Sequence, residues 1–85
     1  MAATEIVLRH GLQANVSIGS FSVVYAEEGS GGGPPEVLVS VTADGEHEYV
    51  LRPGDTFPVR DETWKLGRVE NPGKHDWTVV LTKIE

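Results

Sequence analysis

The sequence predicts an all-β fold, a small antiparallel β-barrel or β-sandwich of seven to eight short strands. Two observations carry that expectation. No window of eleven or more residues sets apolar side chains at the i, i+3, i+4, i+7 spacing of a helix without a Gly, a Pro or a strand-like alternation intervening. Instead, apolar and polar residues alternate with period two in one short run after another, and clusters of Gly, Pro, Asn and Asp separate the runs.

Taken in order, Ile6 and Leu8 against Glu5, Val7 and Arg9 predict a first strand. Leu12, Ala14, Val16 and Ile18 share one parity and predict a second, bounded by Gly11 and Gly19. Phe21, Val23 and Tyr25 against Ser20, Ser22 and Val24 predict a third whose outer face is itself fairly apolar. Glu27-Glu28-Gly29-Ser30-Gly31-Gly32-Gly33-Pro34-Pro35 follows, a low-complexity stretch that reads as a flexible surface loop. It lacks the Lys-Ser or Lys-Thr pair of a phosphate-binding loop, and no helix follows it.

Val37, Val39 and Val41 alternate with Leu38, Ser40 and Thr42. Asp44-Gly45 then predicts a tight two-residue hairpin, with Tyr49 and Leu51 on the returning strand and Glu46, His47 and Glu48 solvated beside the turn. Pro53-Gly54 suits the centre of a type II turn. Pro58 has no amide hydrogen, which confines the short strand of residues 55–59 to a sheet edge or to an irregular ladder. After the connection Arg60-Asp61-Glu62-Thr63, Trp64 and Leu66 share one parity and Val69 the other, so a β-bulge or sharp bend is expected near Gly67. Asn71-Pro72-Gly73-Lys74-His75 makes the last turn. Trp77, Val79 and Leu81 then face the core, with Thr78, Val80, Thr82 and Ile84 on the other side.

Composition bounds the function. One domain of 85 residues with 39% hydrophobic and 24% charged residues is expected to fold, and to be only marginally stable. The absence of cysteine excludes disulfides, thiol chemistry and cysteine-containing zinc sites. Met1-Ala2-Ala3-Thr4-Glu5 does not resemble a signal peptide, and no apolar run approaches the ~20 residues of a membrane helix. A cytoplasmic location with no membrane partner is therefore expected. The formal charge is −6, and Glu27, Glu28, Glu36, Asp44, Glu46 and Glu48 run without a Lys or Arg among them. Such a surface repels phosphate, so no nucleic-acid partner is expected.

No motif for chemistry stands out. His10, His47 and His75 lie too far apart in sequence for a local metal-ligand motif, so neither a metal nor any other cofactor is expected. Asp55 and Asp61 are the carboxylate pair to consider for acid–base work, but Asp55 suits the cap of its turn and Asp61 the end of a strand, each accepting hydrogen bonds from nearby amides. The serines lack the setting of a nucleophile, and no catalytic residue is assigned. Trp64 and Trp77 read first as core aromatics on neighbouring strands. Their functional reading is a partner groove shared with Arg60, Arg68 or Tyr49.

Leu51-Arg52-Pro53-Gly54-Asp55-Thr56-Phe57-Pro58-Val59-Arg60-Asp61-Glu62-Thr63-Trp64-Lys65-Leu66, with Arg68-Val69-Glu70-Asn71-Pro72-Gly73, Asp76-Trp77-Thr78-Val79 and the opening Ile6-Val7-Leu8-Arg9-His10-Gly11, resembles a family of small uncharacterised actinobacterial proteins. That resemblance spans the chain outside the glycine loop. It implies one domain in a bacterial cytoplasm and supplies no catalytic residues. A fainter similarity, over residues 51–57 and the strands after them, is to small β-domains of secretion-system periplasmic proteins.

The expected function is a non-enzymatic β interaction module that binds a protein or peptide partner or forms a homodimer. Its candidate partner-binding residues are Val24, Val80, Trp64, Arg60 and Tyr49, acting by strand addition at the Pro58 edge or through an apolar face at Val24 and Val80. The alternative is a small-molecule binder or minor enzyme with a pocket at the barrel mouth, using Asp55, Asp61 and Trp77, with Arg60 and Trp64 as further lining.

Overall fold

A computed structural model describes residues 4–16 and 19–84. Ile18, expected on the second strand, and Met1, Ala2 and Ala3 lie outside the described residues. Eight strands form, β1 (Glu5–Arg9), β2 (Gln13–Val16), β3 (Gly19–Glu27), β4 (Glu36–Thr42), β5 (Glu46–Leu51), β6 (Thr56–Val59), β7 (Glu62–Glu70) and β8 (Thr78–Ile84). They make two antiparallel four-stranded sheets, sheet A in the order β1-β8-β7-β6 and sheet B in the order β2-β3-β4-β5. The sheets pack face to face with no closed barrel, so the architecture is the sandwich.

Alternation decides which side chains meet between the sheets. Leu8, Leu66, Val79 and Leu81 from sheet A face Phe21, Val37, Val39 and Val41 from sheet B, and all are fully or almost fully buried. Aromatic rings interdigitate across the interface. Trp64 lies 5.1 Å from Phe21, Phe21 is edge-on to Phe57 at 6.3 Å, and Phe57 lies 5.5 Å from Tyr49. Each step crosses from one sheet to the other, and such offset or edge-on pairs add about 0.5–1.5 kcal/mol apiece beyond their burial.

Several turns follow from residue type. Gly54 has φ +95°, and the Asp55 N–H donates to the Arg52 carbonyl at 2.9 Å, closing the Pro53-Gly54 turn. β6 is an edge strand, as the missing N–H of Pro58 requires. The register of β7 against β8 shifts between Leu66 and Val69, which places the bulge at Gly67 and Arg68.

The structure differs from the sequence reading of the elements at several points. A bulge in β3 between Val23 and Tyr25 reverses the parity, so Ala26 enters the core and Tyr25 turns out to hydrogen-bond Glu36. The β4–β5 connection has three residues, because Thr42 pairs with Glu46 and the Ala43 N–H donates to the Gly45 carbonyl. The β6–β7 connection shortens to Arg60 and Asp61, with Arg60 at φ +56°. Leu12, expected on β2, sits exposed in the turn before it, held by its N–H bond to the Arg9 carbonyl. Among the described residues no helix is long and apolar enough to cross a membrane.

Candidate functional site

The strand order separates charge. All seven Lys and Arg residues lie on sheet A or in the turns and loops joined to its strands, and residues 13–51, which build sheet B, contain none. Sheet B and its loops instead hold Glu27, Glu28, Glu36, Asp44, Glu46 and Glu48. On β5, Glu46, Glu48 and Val50 share the outer parity opposite Thr42, Ser40 and Leu38 of β4, and all three are exposed. Among the described residues no backbone hydrogen bond joins β5 to any element but β4. The acidic sheet therefore ends in an open strand.

Beside that strand runs a seam between the β5 and β6 edges, with a cleft of about 230 Å3 lined by His47, Tyr49, Pro58, Val59 and Arg60 among others. Here the structure brings together Tyr49 and Arg60, two of the predicted partner-binding residues. The Tyr49 hydroxyl donates to the Pro58 carbonyl at 3.4 Å, and the His47 ring stacks on Tyr49 at 6.4 Å. Arg60 reaches Asp44 at 3.3 Å, linking the tips of the β4–β5 and β6–β7 hairpins across the two sheets. Both groups are largely exposed, so this pair contributes under ~1 kcal/mol and serves chiefly to align the tips.

The remaining partner-binding candidates fall elsewhere. Trp64 is 2% exposed and belongs to the core; its indole N–H donates to Glu62 Oε1 at 3.1 Å, and Glu62 also pairs with Lys83. Val80 is on the outer parity of β8 but is only 5% exposed. It lies between Val7 on β1 and the β7 bulge, where a Cβ on Gly67 would come within 4.0 Å of its own. Neither residue offers a contact surface. Val24 is 56% exposed at the β3 bulge.

The alternative pocket does not assemble. Asp55 accepts the Arg52 N–H at 2.9 Å and caps its own turn. Asp61 is exposed at the β6–β7 tip, whereas Trp77 is buried at the far end of β7, separated by a strand of about 25 Å. Trp77 and Val24 instead line a shallow cleft with His10, His75, Lys74 and Glu27. The proximity of His10 to His75 escaped the sequence reading, because it depends on β1 pairing with β8: Arg9 sits opposite Thr78, so the end of β1 meets the loop before β8.

On the outer face of sheet B, the Tyr25 hydroxyl donates to Glu36 Oε2 at 2.9 Å, and Arg52 approaches Glu36 Oε1 at 3.4 Å. The bond to Glu36 holds the proton on the phenol and raises Tyr25 above its ordinary 10.0; desolvation and the Glu36 and Glu27 charges act in the same direction. The unfolded chain then loses this proton before the folded one. The resulting stability is fully present below pH 10.0 and falls as pH rises through the raised folded value. Chemical denaturation from neutral to strongly alkaline pH should show this loss, and Tyr25→Phe should reduce it.

The fold and its surface define a small β-sandwich module with one acidic sheet, an open edge strand and no assembled catalytic constellation among the described residues. The chain belongs to a family of unknown function, DUF6406, whose model matches residues 3–85. No curated protein matches it, and no solved structure does.

Proposed function

We propose that the protein is a non-enzymatic interaction module that takes an extended, basic segment of a partner protein as a fifth strand on the β5 edge of sheet B. The observation that supports this best is the charge of that sheet, which has six carboxylates on its strands and loops, no Lys or Arg, and Glu46 and Glu48 on its open edge. Of the other edges, β6 carries Pro58, β2 has four residues and β1 carries Arg9. β5 offers six residues in unbroken register with β4, without the Pro, Lys or bulge that commonly blocks strand addition. The added backbone hydrogen bonds supply affinity, and alternate side chains supply selectivity.

An antiparallel partner strand sets its outward residues opposite Val50, Glu48 and Glu46, favouring an apolar residue followed by two basic ones at alternate positions. Each opposite-charge pair contributes about 0.2–1 kcal/mol, and like charges oppose pairing. A homodimer through this edge would bring together two strands of the same negative charge, with carboxylate opposite carboxylate in the registers centred on His47 or Glu48, so the basic partner is favoured over self-association. A small-molecule or enzymatic role has less support, because Asp55, Asp61 and Trp77 do not converge. The resemblance to small actinobacterial proteins supports a bacterial source and the cytoplasm as the place where the partner is met.

The test is an NMR titration of the 15N-labelled protein with a peptide containing Val-Thr-Lys-Thr-Lys, beside a control with Glu for both Lys. Amide shifts concentrated in β5, absent with the control and abolished by the double variant Glu46→Lys, Glu48→Lys, are expected. Unmoved β5 amides would sink the reading, and shifts driven by protein concentration alone would replace it with self-association.

A further inference from the structure

The second surface feature lies at the opposite end of the sandwich from the hairpin tips. From the geometry there, we infer that His10 and His75 form a two-imidazole site for a divalent transition-metal ion of the Cu2+, Ni2+ or Zn2+ type. The two ring centres are 4.7 Å apart, with the planes inclined at 42°. With about 2.0–2.1 Å from metal to nitrogen and about 1.2 Å from nitrogen to ring centre, two imidazoles on one ion at roughly 90–110° hold their centres about 4.5–5.3 Å apart. The observed spacing falls inside that window.

The supports of the two histidines are separate and local. His10 stands in the turn closed by the Leu12 N–H on the Arg9 carbonyl at 2.9 Å. His75 stands in the loop docked onto β3 by the Gly73 N–H on the Ala26 carbonyl at 2.8 Å and anchored by buried Trp77. Among the described residues no side-chain hydrogen bond engages either imidazole, so a ring nitrogen of each is available and rotation about χ2 can present it. Glu27 lines the same cleft and favours a cation, while the Lys74 ammonium opposes one. No set of three His, Cys, Asp or Glu ligands is gathered among the described residues. The other coordination positions therefore fall to water, which makes the ion exchangeable and leaves room for a ligand from a second molecule. Imidazole and water suit the upper end of the divalent series, where intrinsic affinity is greatest for Cu2+.

Trp77 supplies the readout, since its ring lies edge-on to His10 at 5.9 Å and a bound Cu2+ quenches a neighbouring indole. Untagged protein is titrated with Cu2+ alone, following tryptophan fluorescence, with His10→Ala, His75→Ala and His47→Ala in parallel. His47 is the remote control on β5. The expected result is saturable quenching at one equivalent, lost in both His10→Ala and His75→Ala and kept in His47→Ala, with circular dichroism unchanged. Paramagnetic broadening by Cu2+ in the 15N spectrum of the unsubstituted protein provides a second measure and should begin at the amides around His10 and His75. Quenching that never saturates, that survives either the His10 or the His75 substitution, or that disappears with His47→Ala overturns the site, as does broadening centred elsewhere.

Discussion

Trp64→Ala is expected to remove a large part of the stability of this domain. The indole is 2% exposed, packs on Phe21 at 5.1 Å, and begins the aromatic series that crosses between the sheets to Tyr49. Truncating a buried Trp to Ala costs about 3–5 kcal/mol, the transfer term plus the cavity left behind. At roughly 0.05–0.15 kcal/mol per residue, a chain of 85 residues has about 4–13 kcal/mol in total. The variant should therefore unfold at a far lower urea concentration, with Trp77 remaining as the fluorescent reporter. Trp64→Phe keeps a ring in the core and gives up the indole N–H to Glu62, so its loss should be distinctly smaller. Equal urea midpoints for Trp64→Ala and the unsubstituted protein would contradict the packing described.

Val80→Asp and Val24→Asp should behave oppositely, although period-two alternation alone assigns both valines to outward faces. Val80 is 5% exposed between Val7 and the β7 bulge, and a carboxylate there either loses its water or forces the strands apart. The expected cost is on the order of 3 kcal/mol or more. Val24 is 56% exposed, and Val24→Asp should change stability by no more than about 0.5 kcal/mol. Thermal melts of the two variants decide the matter, and similar shifts in both would mean that the outer face of sheet A is not closed over Val80.

What could be read beforehand was local in origin. The alternation of Val37, Val39 and Val41, the glycine in the Pro53-Gly54 turn, the edge position demanded by Pro58 and the parity change at Gly67 each depend on a few neighbouring residues, and each appears in the fold. The β3 bulge has no glycine to announce it, so simple alternation puts Tyr25 on the wrong face. Parity told which face Val80 takes, but its burial depends on Val7 and on the β7 bulge, which reach it from the two strands flanking β8 and come from other parts of the sequence. The candidate site was legible in part. The acidic run was plain in the chain, yet its collection onto one sheet follows from β2 to β5 pairing consecutively. The histidine pair needed β1 against β8, a pairing no local pattern signals.

That same strand order has a consequence for how the chain assembles. β2 to β5 form from neighbouring segments by successive hairpins, whereas β8, the last strand in sequence, lies inside sheet A between β1 and β7. β1 must wait for it, with Ile6 opposite Leu81, so closure of the sandwich is the slow, non-local step. During synthesis sheet B can exist first, with Phe21, Val37, Val39 and Val41 uncovered, a state in which β-proteins stick to one another. A sheet charged with a single sign repels its own copies throughout that interval. In any interval before β8 closes the sandwich, the carboxylates of sheet B would oppose association of its copies, as charged gatekeeper residues do beside apolar strands.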